Sequence, residues 1–242
     1  RLMVLFDASE TVERVGPVRI ARSYFVDWAD SLGALYAHVG GSPEALAQIQ
    51  KTKDFRDLNE FGHPLRFERD QKRYAPHNTF TSTAEFGIFS QAREWTSSVF
   101  TAWRYVDETE AHSSTTPDGV TDIGIPYGGP WSVEWRYDAE TNEYVRLQNE
   151  KIQTDEDGTE VRVKNAIVIL TSARVVDNVG RLDLETVGSG TAVIFRNGER
   201  IEATWSRVDG EWYAFRDTDG KDVAFTPGRS WISVVINEKM MP

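Results

Sequence analysis

Four stretches of this chain hold the side chains that could do chemistry. The first, Gly16-Pro17-Val18-Arg19-Ile20-Ala21-Arg22, sets two guanidinium groups three positions apart. Read as a helix start with Pro17 at its first position, it puts Arg19 in the first turn, where a cation opposes the helix dipole by about 0.3–1 kcal/mol. Helix stability does not select such a residue. Arg19 and Arg22 therefore either clamp an anionic group beside a helix N-terminus or pair with one of the chain's 38 acids, for example Asp7 or Glu13. The second stretch, His38-Val39-Gly40-Gly41-Ser42-Pro43, joins an imidazole to a glycine turn at a helix start. Backbone N–H groups freed there could hold a carboxylate, a phosphate or a carbonyl oxygen. The turn lacks the Gly-Lys-Ser/Thr ending of a phosphate-binding loop and the spacing of a nucleophile elbow. Ser42 has a second use as a helix cap, and His38 as a hydrogen-bonded structural side chain.

The third stretch runs from Arg69-Asp70 through Arg73, Ala75, Pro76, His77 and Asn78 to Thr81-Ser82. It could supply an acid–base histidine with oxyanion donors, or it could brace a loop. The fourth, Val187-Gly188-Ser189-Gly190, places two glycines around a serine ahead of a strand, the pattern of a bulge or kink. The catalytic candidates are His77 and His38. A ligand site would draw on Asp7, Arg19, Arg22, His38, Gly40, Gly41, Ser42, His77 and Asn78.

Other chemistries are set aside by composition. The chain has no cysteine, which removes disulfides, thiolate nucleophiles and cysteine-ligated metals. His38, His63, His77 and His112 share no metal-ligand spacing, so neither a metal nor a cofactor is expected. Lys plus Arg number 27 against 38 acids, a net charge of -11, and no basic cluster stands out, so nucleic acid is not an expected partner. No apolar run approaches the 18 or so residues of a membrane span. The eight tryptophans could line a sugar groove, but core or cross-strand pairs are the commoner use.

The elements that must position these residues read as α+β. Residues 2–6 form a continuous apolar run, the pattern of a buried strand closed by Asp7. Val18, Ala21, Phe25, Trp28, Ala29 and Leu32 recur at helical spacing up to Gly33. Residues 34–39 alternate as a strand, and Ser42-Pro43-Glu44 opens a short helix. Strand, helix, strand, helix is a parallel βαβ start. If 2–6 and 34–39 are parallel neighbours, their C-terminal ends share an edge and Asp7, Ser9, Arg19, His38 and Ser42 converge there, where ligands of open α/β sheets bind. Residues 51–130 show weak periodicity, 92–105 fits helix or strand, and 109–121 is a Ser/Thr-rich loop. From Trp131 the pattern is an antiparallel β-meander, with an Asn197-Gly198 hairpin signal. The expected division is an N-terminal α/β region, 1–130, and a C-terminal β-rich region, 131–242.

Longer motifs carry a resemblance. G-P-V-R-x-A-R-x-Y-F (16–25), A-L-Y-x-H-x-G-G-S-P-E-A-L (34–46), R-x-A-P-H-N-x-x-T-S (73–82), W-x-Y-D (135–138), G-R-L-D-L-x-x-V-G-S-G (180–190) and P-G-x-x-W-I-x-V-V (227–235) occur in order along nearly the whole chain. Together they resemble the DUF3048, or YerB-like, family, which is similar to exported, often lipid-anchored envelope proteins of mainly Gram-positive-type bacteria. The resemblance implies an extracellular, cell-surface location, a two-region chain, and membrane contact only through a lipid anchor that these residues do not include. It also implies a further segment ahead of the apolar run at 2–6, able to partner it in a sheet. The family brings no catalytic residues with it. Three readings follow: a binder, without turnover, of an anionic or carbonyl-bearing cell-wall ligand or of an envelope protein; a hydrolase or transferase acting on a cell-wall component; and a β-rich interaction scaffold.

Overall fold

The structure, a computed structural model, describes residues 1–98, 100–107 and 122–242. The loop expected over 109–121, with His112, lies outside the described residues. The chain divides into two compact units, Arg1–Thr101 with Asp209–Trp212, and Ala102–Val208 with Tyr213–Pro242. The division falls before the 130/131 boundary expected from the sequence. The indole of Trp103 stacks on Phe225 at 4.4 Å and donates to the Tyr213 carbonyl at 2.6 Å, which ties the residues after 101 to the second unit.

The first unit is mixed α/β, and its parallel start differs from the expected one. Residues 2–6 form no strand, and Leu2, Val4 and Leu5 are more than half exposed. An apolar run becomes a strand only beside a partner that takes its N–H and C=O groups, and no described segment does so. The helix expected from Pro17 starts later: Gly16–Pro17 is a cis peptide in extended chain, and α1 spans Ser23–Ser31 with Arg22 as its N-cap. Helical spacing ran through Val18 and Ala21, yet both lie in extended backbone. Val18 is half-buried and Ala21 fully buried.

Residues 15–21 serve as the central segment of a small mixed sheet. Val15 exchanges hydrogen bonds with Thr81 at 2.7 and 3.0 Å, and Val18 donates to Thr79 at 2.8 Å. After Val18 the partner changes. Val39 donates to Arg19 (3.1 Å), Ala21 to Gly40 (2.9 Å) and Ser42 to Ala21 (3.1 Å), a parallel ladder. Strand β1, Tyr36–His38, pairs in parallel with β2, Asp57–Asn59, and α2, Pro43–Lys51, is their crossover. The N-termini of α1 and α2 thus lie at one edge of the sheet. Ala21, Val26 and Ala45 form the buried contact between helices and sheet, flanked by Tyr36, Ile49 and Phe55. Strands β3, Glu68–Arg69, and β4, Thr79–Phe80, pair antiparallel, and α3, Thr83–Gln91, follows under a cap from Ser82 Oγ to the Glu85 N–H.

The second unit packs two sheets face to face. One orders strands Arg162–Val163, Glu143–Gln148, Val133–Asp138 and Asp122–Ile125, all antiparallel. The other orders Ala214–Asp217, Glu199–Arg207, Gly188–Arg196, Asn165–Leu170 and Ser230–Val235. Its last pair is parallel, so the expected meander closes on a strand of opposite sense. Ile123, Val133, Trp135 and Tyr144 of the first sheet meet Ala166, Val168, Val193 and Phe195 of the second. Strand Asn165–Leu170 is buried on both faces, as its unbroken apolar run requires.

Candidate functional site

The sequence-predicted residues separate into a structural joint and an open cluster. The joint is the His38–Ser42 turn. The His38 ring is 0% exposed and stacks on Tyr36 with centroids 5.2 Å apart. Its Nδ1 lies 2.7 Å from the Gly40 carbonyl oxygen and its Nε2 2.6 Å from Asp57 Oδ1, so neither nitrogen is open to a substrate. The Gly40 carbonyl also accepts from Ala21, while its N–H donates to Asn59 Oδ1 at 3.0 Å. Gly40 has φ +58°, which favours glycine at this corner. A Cβ on Gly41 would press against Leu46 at 3.0 Å. Ser42 Oγ caps α2 by accepting from Ala45 at 3.2 Å, and its own N–H is held by Ala21. Of the N–H groups expected to face a ligand here, those of residues 42 and 45 are thus already bonded within the fold.

The open cluster is next to the joint, where residue 19 leaves the antiparallel ladder for the parallel one. Arg19 Nη1 is 3.1 Å from His77 Nδ1 and 3.4 Å from His77 Nε2. Near-equal distances to both ring nitrogens set the guanidinium nitrogen over the imidazole face. Arg19 Nε is buried and has no hydrogen-bond partner. Arg22 acts electrostatically on the Tyr24 and Tyr36 hydroxyls. Among the described residues neither Arg19 nor Arg22 forms an ion pair, although Arg14, Arg66 and Arg69 of the same unit bind Asp70, Glu85 and Glu60 at 2.6–2.8 Å. Asp7 and Glu13, the partners weighed from sequence, are not used.

Like charge gathers here. Burial, and then the neighbouring Arg22 and Arg19 cations, push the Arg1 guanidinium below its ordinary range. Burial raises the Tyr24 and Tyr36 hydroxyls, so both stay neutral donors at physiological pH. The α1 N-terminus adds its dipole without an acidic residue in the first turn. Arginines and neutral hydroxyls thus gather beside a helix start.

The remaining candidates lie elsewhere. Asp7 closes a local turn, accepting from Ser9 N at 2.9 Å and Ser9 Oγ at 2.5 Å, and these bonds hold its carboxyl below the usual range. Asn78 turns to Arg69, 3.4 Å away. Ser189 and Gly190 line an open cavity of about 380 Å³ in the second unit with Glu185, Trp205 and Glu238. No cluster of His, Asp or Glu able to hold a metal occurs among the described residues. Sequence reasoning missed Tyr24, Tyr36 and Arg1; the Arg22-x-Tyr24 spacing was the available signal.

Comparison with known proteins follows the same division. Residues 1–96 match the model described as "Protein of unknown function (DUF3048) N-terminal domain", and residues 123–232 match its C-terminal domain. The chain belongs to the DUF3048 family. This DUF3048 chain is 29% identical to "Putative lipoprotein YerB" of Bacillus subtilis (strain 168), over 97% of its own length and 70% of that protein. It is also similar to the crystal structure of YerB from Bacillus subtilis, with a TM-score of 0.79 and 26% identity over 97% of this chain and 78% of that one.

Proposed function

We propose that this DUF3048 protein binds an anionic cell-envelope ligand, without turnover, at the edge formed by Arg19, Arg22 and His77. One observation carries the reading. Nε and Nη2 of an arginine point the same way and grip an oxyanion side-on. In Arg19, Nε is buried and has no partner among the described residues, and Nη1 lies beside the exposed His77 ring, so a small movement of the side chain would turn that edge to an anion. A chain of net charge -11 that leaves two adjacent arginines without carboxylates keeps them for an anion from outside. The lipoprotein designation of the YerB relative supports a cell-surface location, and so a wall polymer or a peptidoglycan fragment as the source of that anion.

A hydrolase or transferase reading rests on His77, whose exposed ring would face an anion held by Arg19. His38, the other candidate base, has both nitrogens engaged. Calorimetric titration with poly(glycerol phosphate) and with soluble peptidoglycan fragments separates the readings. Binding by the wild type, lost on Arg22→Gln and unaccompanied by new products, is expected. Product formation abolished by His77→Ala at unchanged Tm moves the assignment to catalysis. Equal binding by Arg22→Gln removes the site.

A further inference from the structure

His38 faces two oxygens that accept hydrogen bonds and cannot give them. Its Nδ1 lies 2.7 Å from the Gly40 carbonyl oxygen and its Nε2 2.6 Å from Asp57 Oδ1, in a ring with no exposed surface. A neutral imidazole carries one N–H and one lone pair, so it satisfies one of these contacts and sets a lone pair against the other. Turning the ring over would place two carbons against the oxygens and bury both nitrogens unbonded, which is costly. A proton on the carboxyl is disfavoured too, because the Asp57 side chain is 36% exposed and water favours the ionised form. The arrangement that remains has a proton on each ring nitrogen. It makes the 2.6 Å contact a charge-assisted bond and gives the buried cation its counter-ion.

The surrounding groups fit that charge. Tyr36, stacked on the ring at 5.2 Å, has its hydroxyl raised by burial and stays neutral. Glu60 donates its backbone N–H to the His38 carbonyl and gives its carboxylate to Arg69. The Asn59 side chain accepts from the Gly40 N–H. Arg1 and Arg22, the nearby cations, act on the Tyr36 hydroxyl. The Nδ1 proton also matters beyond the ring. The Gly40 carbonyl that takes it accepts from Ala21 as well, and Ala21 lies between Arg19 and Arg22 and accepts from Ser42. The glycine turn and the segment carrying both arginines thus meet at one acceptor with two donors. Loss of either ring proton leaves a lone pair against an oxygen, so the ring must shift.

We propose that His38 is held as an imidazolium by Asp57 and works as a proton latch, fixing the Gly40 turn to the Arg19–Arg22 segment and loosening it when a proton leaves. The effect on a ligand rests on the anion reading at Arg19 and Arg22; the latch itself does not. Nitrogen NMR of the whole ligand-free chain at neutral pH tests the latch, with the ring identified by its contacts to Tyr36. Both His38 nitrogens should show a directly bonded, slowly exchanging proton. In Asp57→Asn, whose amide can donate to Nε2, one bonded proton should remain, on Nδ1. Raising the pH should remove one proton from the wild-type ring, and the Ala21 N–H should lose protection from exchange in the same step. Binding of poly(glycerol phosphate) should weaken several-fold across that step in the wild type and not in Asp57→Asn. A bare His38 nitrogen in the neutral wild type, a proton found on the Asp57 carboxyl, or Ala21 protection that ignores the step overturns the latch. Polymer affinity unchanged across the step overturns its coupling to the ligand. Both ring protons present, with polymer bound at no pH, removes the anion reading and leaves the latch standing.

Discussion

Replacing His38 by alanine removes a ring with 0% exposure, two short hydrogen bonds and a stack on Tyr36. The bond to the Asp57 carboxylate is worth about 1.5–3 kcal/mol and the one to the Gly40 carbonyl about 0.5–1.5. Neither partner is orphaned: the Gly40 carbonyl keeps the Ala21 N–H at 2.9 Å, and the Asp57 side chain, 36% exposed, regains water. The void left by the ring adds a packing loss, for a total of roughly 3–5 kcal/mol. That is a large share of a typical stability of about 5–15 kcal/mol. Guanidinium unfolding followed by tryptophan fluorescence reads it directly, with Trp28 and Trp95 reporting on the first unit. A shift under about 1 kcal/mol would refute the joint reading, and a loss of ligand response at unchanged stability would return His38 to the list of functional residues.

Three smaller perturbations probe other parts of the account. Ser42→Ala deletes the cap on α2 and should lower stability by about 1 kcal/mol in the same unfolding assay; a value near zero would mean that the Ser42–Ala45 bond contributes nothing. Asn165→Leu leaves both the N–H and the C=O of buried Thr226 without their 2.9 Å partners, and a loss of about 2–5 kcal/mol is expected by thermal melting. Arg162 beside Asp138 holds that carboxyl below its ordinary range, so its contribution is present above the unfolded value near 3.9 and is lost as pH falls below it. Tm measured from about pH 5 to pH 2 should fall less steeply in Asp138→Asn than in the wild type, and identical slopes would contradict the assignment.

Local signals read well because their causes are local. Ser42-Pro43-Glu44 announced α2, and the Asn197-Gly198 hairpin has both residues at positive φ, 51° and 73°. The Ser82-x-x-Glu85 cap was equally visible and marks α3 inside a stretch left unassigned by periodicity. Pairing partners were not legible. Residues 15–21 split their hydrogen bonds between 79–81 and 39–42 around a proline, and β2 is three residues long with one buried side chain, Leu58. Neither leaves a period to detect. Arg19 is joined to the His38 turn through the backbone bond from residue 39, not through a strand at 2–6.

The most direct test of anion binding at the first unit is the Arg19 Nε–H resonance during titration with poly(glycerol phosphate). A ligand held at Arg19 and Arg22 should move that resonance saturably and lose the effect in Arg22→Gln. A resonance that stays fixed while the polymer binds elsewhere, or does not bind, would contradict the account.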